Sequence, residues 1–400
     1  MTQLRRVLIK DLTLGSYVAS VTKQKGLMRI KQTGWVRSEQ AKQALINKGI
    51  LEVEVDDDRH YDVVHAPDPE PSDTLPIEEV ITTDVPPSQK KNPKSFTTEI
   101  TRAKNIIQES KRIQRSMILN IQQQNPVEVE QLAYLSDNLV ASIERNSNAI
   151  CCLNRIKNKS AELLEDAIRC TTLMILFAEH RKTDKQTKQA LAIGALLHNI
   201  GKTKLQDELL VKVGISPQER QEIRTFIEYN AEILNEIEDL PALSFRIATQ
   251  FKERLDGSGY PNQLDAETLD EYSRMMSIVE LYNELTNGKP GQPGIGPLKA
   301  YRQMMEMSPT KLDPDLLEQF IKCLGIYPAG TLVRLKSGKV GIVLEANHKH
   351  PKRPKVKIFY NAKHQHHVDI KILDLATYPS EEIEACVGTD QYHLDLKDYI

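Results

Sequence analysis

Two stretches hold the residues best suited to chemistry: Ala195-Leu-Leu-His198-Asn199-Ile-Gly-Lys202 and Asp256-Gly-Ser-Gly-Tyr-Pro261. A histidine and a lysine so placed suit two kinds of chemistry. An imidazole with carboxylates on neighbouring helices holds divalent cations that activate water, and a lysine ammonium binds phosphate. The first needs a ring of imidazoles and carboxylates, yet His180 and His198 are the only histidines between residues 148 and 325. With its partners missing, His198 on the apolar Ala-Leu-Leu face reads as a core histidine bonded to Asn199 or nearby backbone. Asp256–Pro261 reads as a tight turn with glycine at positive φ, whether or not a ligand binds there.

The elements that must position these residues follow from periodicity. Residues 148–325 are helical on pattern, with Gly and Pro confined to turns such as Gly214–Pro217, Leu240-Pro241 and Asp256–Pro261, and no strand run interrupts them. Before them, Ile100, Ala103, Ile106, Ile107, Ile113, Met117, Ile118 and Ile121 follow one helical face. Pro126 then breaks the run ahead of a second helix near Val127–Asn146. This helical hairpin, residues 97–147, either caps the next domain or pairs with a second copy in a homodimer. At the N-terminus, residues 4–20 alternate as two strands turning at Gly15-Ser16. A helix capped by Ser38 and stopped by Gly49 follows, then the strand-like Ile50–Val55. Seven of the chain's 20 prolines crowd residues 66–95, marking a linker over 59–96. After Gly325–Gly330, strands are expected on both sides of Ser337-Gly338 and over Lys355–Tyr360.

The expected fold is mainly α: an all-helical domain of HD type over 148–325, a small N-terminal α+β module over 1–58, and a short C-terminal antiparallel β unit over 326–378 with a tail at 379–400. The name of that domain rests on a resemblance. Leu-His-Asn-Ile-Gly-Lys at 197–202 and Asp-Gly-Ser-Gly-Tyr-Pro at 256–261, with their separation and helical setting, resemble the HD-GYP family of cyclic di-GMP phosphodiesterases. The N-terminal module and the Gly-Ile-Tyr-Pro-Ala-Gly-Thr-Leu-Val segment are similar to regions that flank the domain in some members.

The resemblance implies metals held by a helix-borne His, the His-Asp pair, a further His, a His-His pair ahead of the Asp-Gly-x-Gly-Tyr-Pro turn, and a final Asp. By register, those positions fall near Asp166, at His198-Asn199, at Phe226, at Phe251-Lys252 and at Glu280. His198 is the one identical ligand, with Asp166 and Glu280 as substitutes. Asn199 is a neutral amide and cannot bridge two dications; Phe226 and Phe251 offer no lone pair; Lys252 adds repulsion. The expectation is therefore a protein in cyclic di-GMP signalling with no cofactor and with catalysis lost, sensing the nucleotide or binding other signalling proteins. The alternative is an active phosphodiesterase using Fe, Mn or Zn on Asp166, His198 and Glu280. His198 and Lys202 remain as catalytic remnants. Lys202, Lys252, Arg254, Asp256, Gly257, Gly259 and Tyr260 are the candidates for phosphate or ligand binding, with Phe226 and Phe251 as surfaces for a base to stack on.

At 400 residues, a formal charge of −2 and 40% hydrophobic content, the chain is neither a fibre nor a globally basic nucleic-acid binder. No apolar leader follows Met1 and no apolar run nears the roughly 20 residues that span a bilayer, so no membrane span and a cytoplasmic address are expected. The five cysteines lack paired spacing and read as thiols in a reducing compartment. The basic His348–Lys355 stretch lacks interleaved aromatics and reads as a solvated loop, and His364, His366 and His367 read as surface, so nucleic acid is an unlikely partner.

Overall fold

The computed structural model describes residues 4–14, 16–24, 34–36, 39–47, 50–60, 96–154, 162–347, 349–388, 391–392 and 394–400. Gly15, Ser38, Gly49, His348 and residues 61–95 of the expected linker lie outside the described residues. The chain divides into two compact units, Met1–Thr74 and Leu75–Ile400.

In the first unit, strands β1 (Leu4–Leu8), β2 (Ser16–Gln24), β3 (Gly34–Trp35) and β4 (Ile50–His60) form one antiparallel sheet in the order β1-β4-β2-β3, with helix α1 over Glu39–Asn47. The first strand ends earlier than its alternation suggests. Ile9–Asp11 forms a 3-10 turn whose Ile9, with Leu12, enters the core beside Val18, Val53 and Val55. β1 therefore pairs with β4, and β4 lies between β1 and β2.

The second unit opens with the helical hairpin α2 (Phe96–Gln122) and α3 (Val129–Leu153), the latter kinked at Asn146. Its apolar face shares a core with the helices that follow: Ala103, Ile113, Leu135, Leu139 and Ile143 pack with Ile175, Ala192 and Leu196. That packing lays the hairpin against the helices of its own chain. Inside it, Glu99 is wholly buried and accepts hydrogen bonds of 2.8 Å from both Nε and Nη2 of Arg145 and one of 2.9 Å from Ser142.

The central helices are α4 (Glu162–His180), α5 (Lys185–Leu197), α6 (Asp207–Val211), α7 (Pro217–Arg224), α8 (Phe226–Asn235), α9 (Ala242–Gln250), α10 (Glu271–Asn287), α11 (Pro297–Met307) and α12 (Pro314–Leu324). Asp184 caps α5, accepting from the Thr187 backbone N–H at 2.9 Å, and Asp270 caps α10 through Tyr272 and Ser273. One expectation fails here: the two-residue strands Gly288–Lys289 (β5) and Gln292–Pro293 (β6) interrupt the helices, because Gly288 at φ +81° ends α10 and turns the chain back.

The C-terminal sheet is larger than expected. Strands Leu332–Leu335 (β7), Lys339–Glu345 (β8), Lys355–Asn361 (β9), His366–Asp374 (β10) and Ile383–Cys386 (β11) order as β10-β9-β8-β7-β11. Within 379–400, expected as a tail, described residues join this sheet and its core. β11 pairs with β7, Leu394 and Leu396 enter the core, and Tyr399 stacks on Phe359 at 3.9 Å. Sequence alternation misses these strands because β10 is exposed along most of its length and so carries little apolar pattern. His364 and His366 are exposed, while His367 bonds the Tyr399 hydroxyl at 2.8 Å.

Candidate functional site

Helical spacing brings the site together. On α4, Asp166, Arg169 and Cys170 stand three and four residues apart on one face, as do Glu280, Asn283 and Glu284 on α10. α5 ends at Leu197 with His198 as its C-cap, and Asn199 leaves helical geometry, so a 3-10 turn over Ile200–Lys204 follows. Gly201 permits this turn. A Cβ at that position would lie 2.0 Å from the Phe226 carbonyl oxygen, and its N–H donates to Asn230 Oδ1 at 2.6 Å. The buried Asn230 amide also donates to the carbonyls of His198 and Ala248, tying the turn to α8 and α9.

His198 is 1% exposed. Its Nδ1 bonds the Ala195 carbonyl at 2.8 Å, its Nε2 lies 3.7 Å from Asp166 Oδ2, and Phe251 packs edge-on at 5.1 Å. Burial is the main reason it titrates at about 4, well below the ordinary 6.5. Asp166 opposes that shift and Lys202 adds to it, so the ring is neutral at physiological pH. Burial alone would raise Asp166, but Lys202, His198 and Arg169 hold its carboxyl below the usual range. Asp166 accepts from Asn283 at 2.6 Å and from Asn199 at 3.3 Å. Asn199 thus presents its NH2 to the site. Cys170, one turn along α4, completes a cluster with Asp166 and His198 whose donor atoms all lie within 4.8 Å of one another.

Lys252 lies just past the C-cap of α9, and its Nζ donates to both Glu280 oxygens and to Glu284, each at 2.8 Å. Burial works against that charge, but Glu280 and Glu284 outweigh it and raise the lysine well above its usual range. Both Glu280 oxygens are therefore engaged by a protein cation. Phe226 and Phe251 are 3% and 1% exposed and sit 6.1 Å apart in the core. Neither offers an open face for a base, contrary to the expectation of stacking. Their burial stabilises the fold by about 2 kcal/mol each.

The remaining candidates divide between architecture and surface. Arg254 donates from Nη1 to the carbonyls of Phe251 and Glu253 and to the Ser277 hydroxyl, which ties it to the turn. Asp256 accepts from the Ser258 N–H at 3.0 Å, and Gly257 adopts φ +70°. At Gly259 a Cβ would come within 2.3 Å of Glu253 Cα, so this glycine serves close approach. Glu253, itself buried, accepts from the N–H groups of Asn262 and Leu264 and holds the turn from beneath. Tyr260 precedes a cis peptide to Pro261 and lies under the Arg224 guanidinium at 4.9 Å. Lys202 is half-buried, 5.2 Å over the Phe226 ring.

Charge and donor type decide what these residues could hold. A two-cation centre needs a bridging carboxylate and several imidazoles. At the corresponding positions stand an amide donating its NH2, two buried phenylalanines and an ammonium already bonded to Glu280, so the residues do not fit a pair of dications. Asp166, Cys170 and His198 form a set able to coordinate one ion. Sequence reading missed Cys170, Asn230, Asn283, Glu284 and Glu253. Cys170 and Glu284 carried a usable signal, each lying four residues beyond a candidate on the same helix.

Comparison with known proteins follows the same outline. The HD domain family matches residues 150–316, a domain of unknown function (DUF3391) matches 4–132, and a KOW domain associated with HD domain matches 332–393. The cyclic di-GMP phosphodiesterase PA4108 of Pseudomonas aeruginosa is 29% identical over 278 residues, 69% of this chain and 67% of that protein. The 3'3'-cGAMP-specific phosphodiesterase 3 of Vibrio cholerae is 27% identical over 135 residues, 34% of this chain and 29% of that protein. The solved structure of Bd1817, an HDG"Y"P protein from Bdellovibrio bacteriovorus, matches 80% of this chain and 98% of its own with a TM-score of 0.48 at 17% identity. An HD domain between the two associated modules, with cyclic dinucleotide phosphodiesterases among the similar proteins, supports assigning this chain to the HD-GYP family.

Proposed function

We propose that this chain acts in cyclic di-GMP signalling without hydrolysing the nucleotide, and works by binding another protein. The observation that carries this reading is the Lys252 ammonium bonded to Glu280 and Glu284. An internal cation already engages the Glu280 carboxylate that a second metal would need, and Glu284 is shared between Lys252 and Lys289. The burial of Phe226 and Phe251 adds to it, since two rings without a lone pair pack into the core at positions where the resemblance implies imidazole ligands.

A second reading, a nucleotide sensor, keeps Lys202 as its phosphate contact and is supported by the Arg224–Tyr260 pair beside the turn. Lys252 and Arg254 drop out of it, because their donors are engaged within the protein.

The test is a cyclic di-GMP hydrolysis assay with Fe, Mn or Zn supplied, run beside calorimetry with the same nucleotide at low and moderate salt. No turnover and no heat are expected. Turnover abolished by His198→Ala would overturn the proposal, and salt-sensitive heat weakened by Lys202→Ala would replace protein binding with sensing.

A further inference from the structure

We propose that the open pocket where the end of α3 meets α2 and α4 binds a single phosphate-class oxyanion through Arg169. That side chain is 7% exposed, yet the fold serves its guanidinium poorly. Among the described residues its Nε has no hydrogen-bond partner. Nη1 stands 3.8 Å from Glu165 and Nη2 3.6 Å from Asp166, both beyond hydrogen-bond length. A buried cation with unmet donors is costly, and an oxyanion gripped by Nε and Nη2 together supplies the missing bonds.

The pocket offers space and further donors. It encloses about 210 Å3 between the apolar walls of Ile107, Leu153 and Ile168, which strengthen a polar contact made inside it. Lys111 of α2 also lines it. Its Nζ donates to Glu165 at 2.6 Å, which uses one of three protons and leaves two. Asn154, the residue after α3, donates to Thr172 at 2.8 Å and keeps a second amide hydrogen. Donors from three elements suit a tetrahedral anion better than a flat carboxylate. Two cations face one carboxylate, Glu165, in the pocket, while Asp166 meets Arg169 from the side of the candidate site. Between Asn154 and Glu162, outside the described residues, the sequence carries Arg155, Lys157 and Lys159 and no acid, so that stretch offers no carboxylate in place of the ligand.

Inorganic phosphate is the probe. The thermal midpoint of the full-length protein is read by calorimetry as phosphate rises, with ionic strength held constant by chloride. An upward shift of about 2 °C or more is expected. Arg169→Met should abolish the shift, and Arg169→Lys, which keeps the charge but loses the fork, should reduce it at least severalfold; the second variant carries the test if the first does not fold. Lys202→Ala should leave the shift intact, which separates this pocket from the phosphate contact of the sensing reading. No shift beyond that of chloride, a shift that survives both Arg169 variants, or one lost in Lys202→Ala overturns the proposal. An equal shift with acetate overturns the phosphate class. The proposal does not rest on the non-hydrolysing reading, since turnover of cyclic di-GMP would leave the phosphate response where it is.

Discussion

With an ammonium held by three carboxylate oxygens, as at Lys252, and Lys289 also paired with Glu284, Glu280 and Glu284 need no metal to balance their charge. Removing it strands two carboxylates in the interior, so Lys252→Met is expected to destabilise the protein by about 3 to 5 kcal/mol near neutral pH. The pH dependence gives a sharper check. In the native protein burial opposes the Glu284 charge, but Lys252 and Lys289 overcome it and hold that carboxyl below its usual range. Its stabilisation is therefore present above the ordinary carboxylate pKa and is lost only as the pH falls through the lower folded value. In the variant both carboxyls move upward, so the variant should be most stable when they are protonated and weaken as the pH rises. Urea unfolding of both proteins at about pH 5 and about pH 8 reads the difference, and an equal loss at both would count against the ion triad. At the same scale, Asn199→Asp alone should not create cyclic di-GMP hydrolysis, because Phe226, Phe251 and Lys252 still occupy ligand positions. Robust turnover in that single variant would show that the ligand register is wrong.

At the scale of elements, the hairpin α2–α3 and the turn after α5 set the frame of the site. Leu139 of α3 is fully buried between the hairpin and the helices behind it. Leu139→Ala is expected to lower unfolding free energy by about 2 to 5 kcal/mol while leaving the molecular mass by light scattering as it is in the native protein. A changed mass with little loss of stability would instead place this face between two chains. Asn230 does comparable work with polar atoms. Its amide serves Gly201, His198 and Ala248 at once, so Asn230→Ala leaves three buried backbone groups without that partner. A loss of about 3 kcal/mol is expected from denaturant unfolding, and a near-neutral result would mean that the turn closes in another way.

For the larger unit as a whole, the last residues join elements far apart in the chain. Lys104 of α2 donates to the Ile400 carbonyl at 2.8 Å, and Lys357 of β9 donates to that of Tyr399 at 2.6 Å. Leu394 and Leu396 are buried against the C-terminal sheet. A chain stopped after Val387 should therefore lose about 3 kcal/mol or more of stability, read as a lowered unfolding midpoint in thermal denaturation. An unchanged midpoint would return residues 388–400 to the status of a tail.

Much of this protein follows from local pattern. The helices of the central domain, the hairpin before it, the turn at Asp256–Pro261 and the break at His198-Asn199 depend on residues a few positions apart, and apolar spacing, caps and glycines record such relations directly. The register implied by the resemblance put Asp166 in the same candidate set as His198, and their side chains lie 3.7 Å apart. What the side chains there are free to do was decided by tertiary contact. Lys252 reads in sequence as an available positive charge, but its partners stand 28 and 32 residues further on. Phe226 and Phe251 read as flat apolar surfaces, and burial turned them into core. Cys170 joins His198 only because α4 and α5 pack side by side, and β10 and β11 become visible only through their pairing. Local periodicity encodes which face of an element is apolar, whereas ion pairing, burial and donor convergence depend on which faces meet, and that is settled by packing between distant segments.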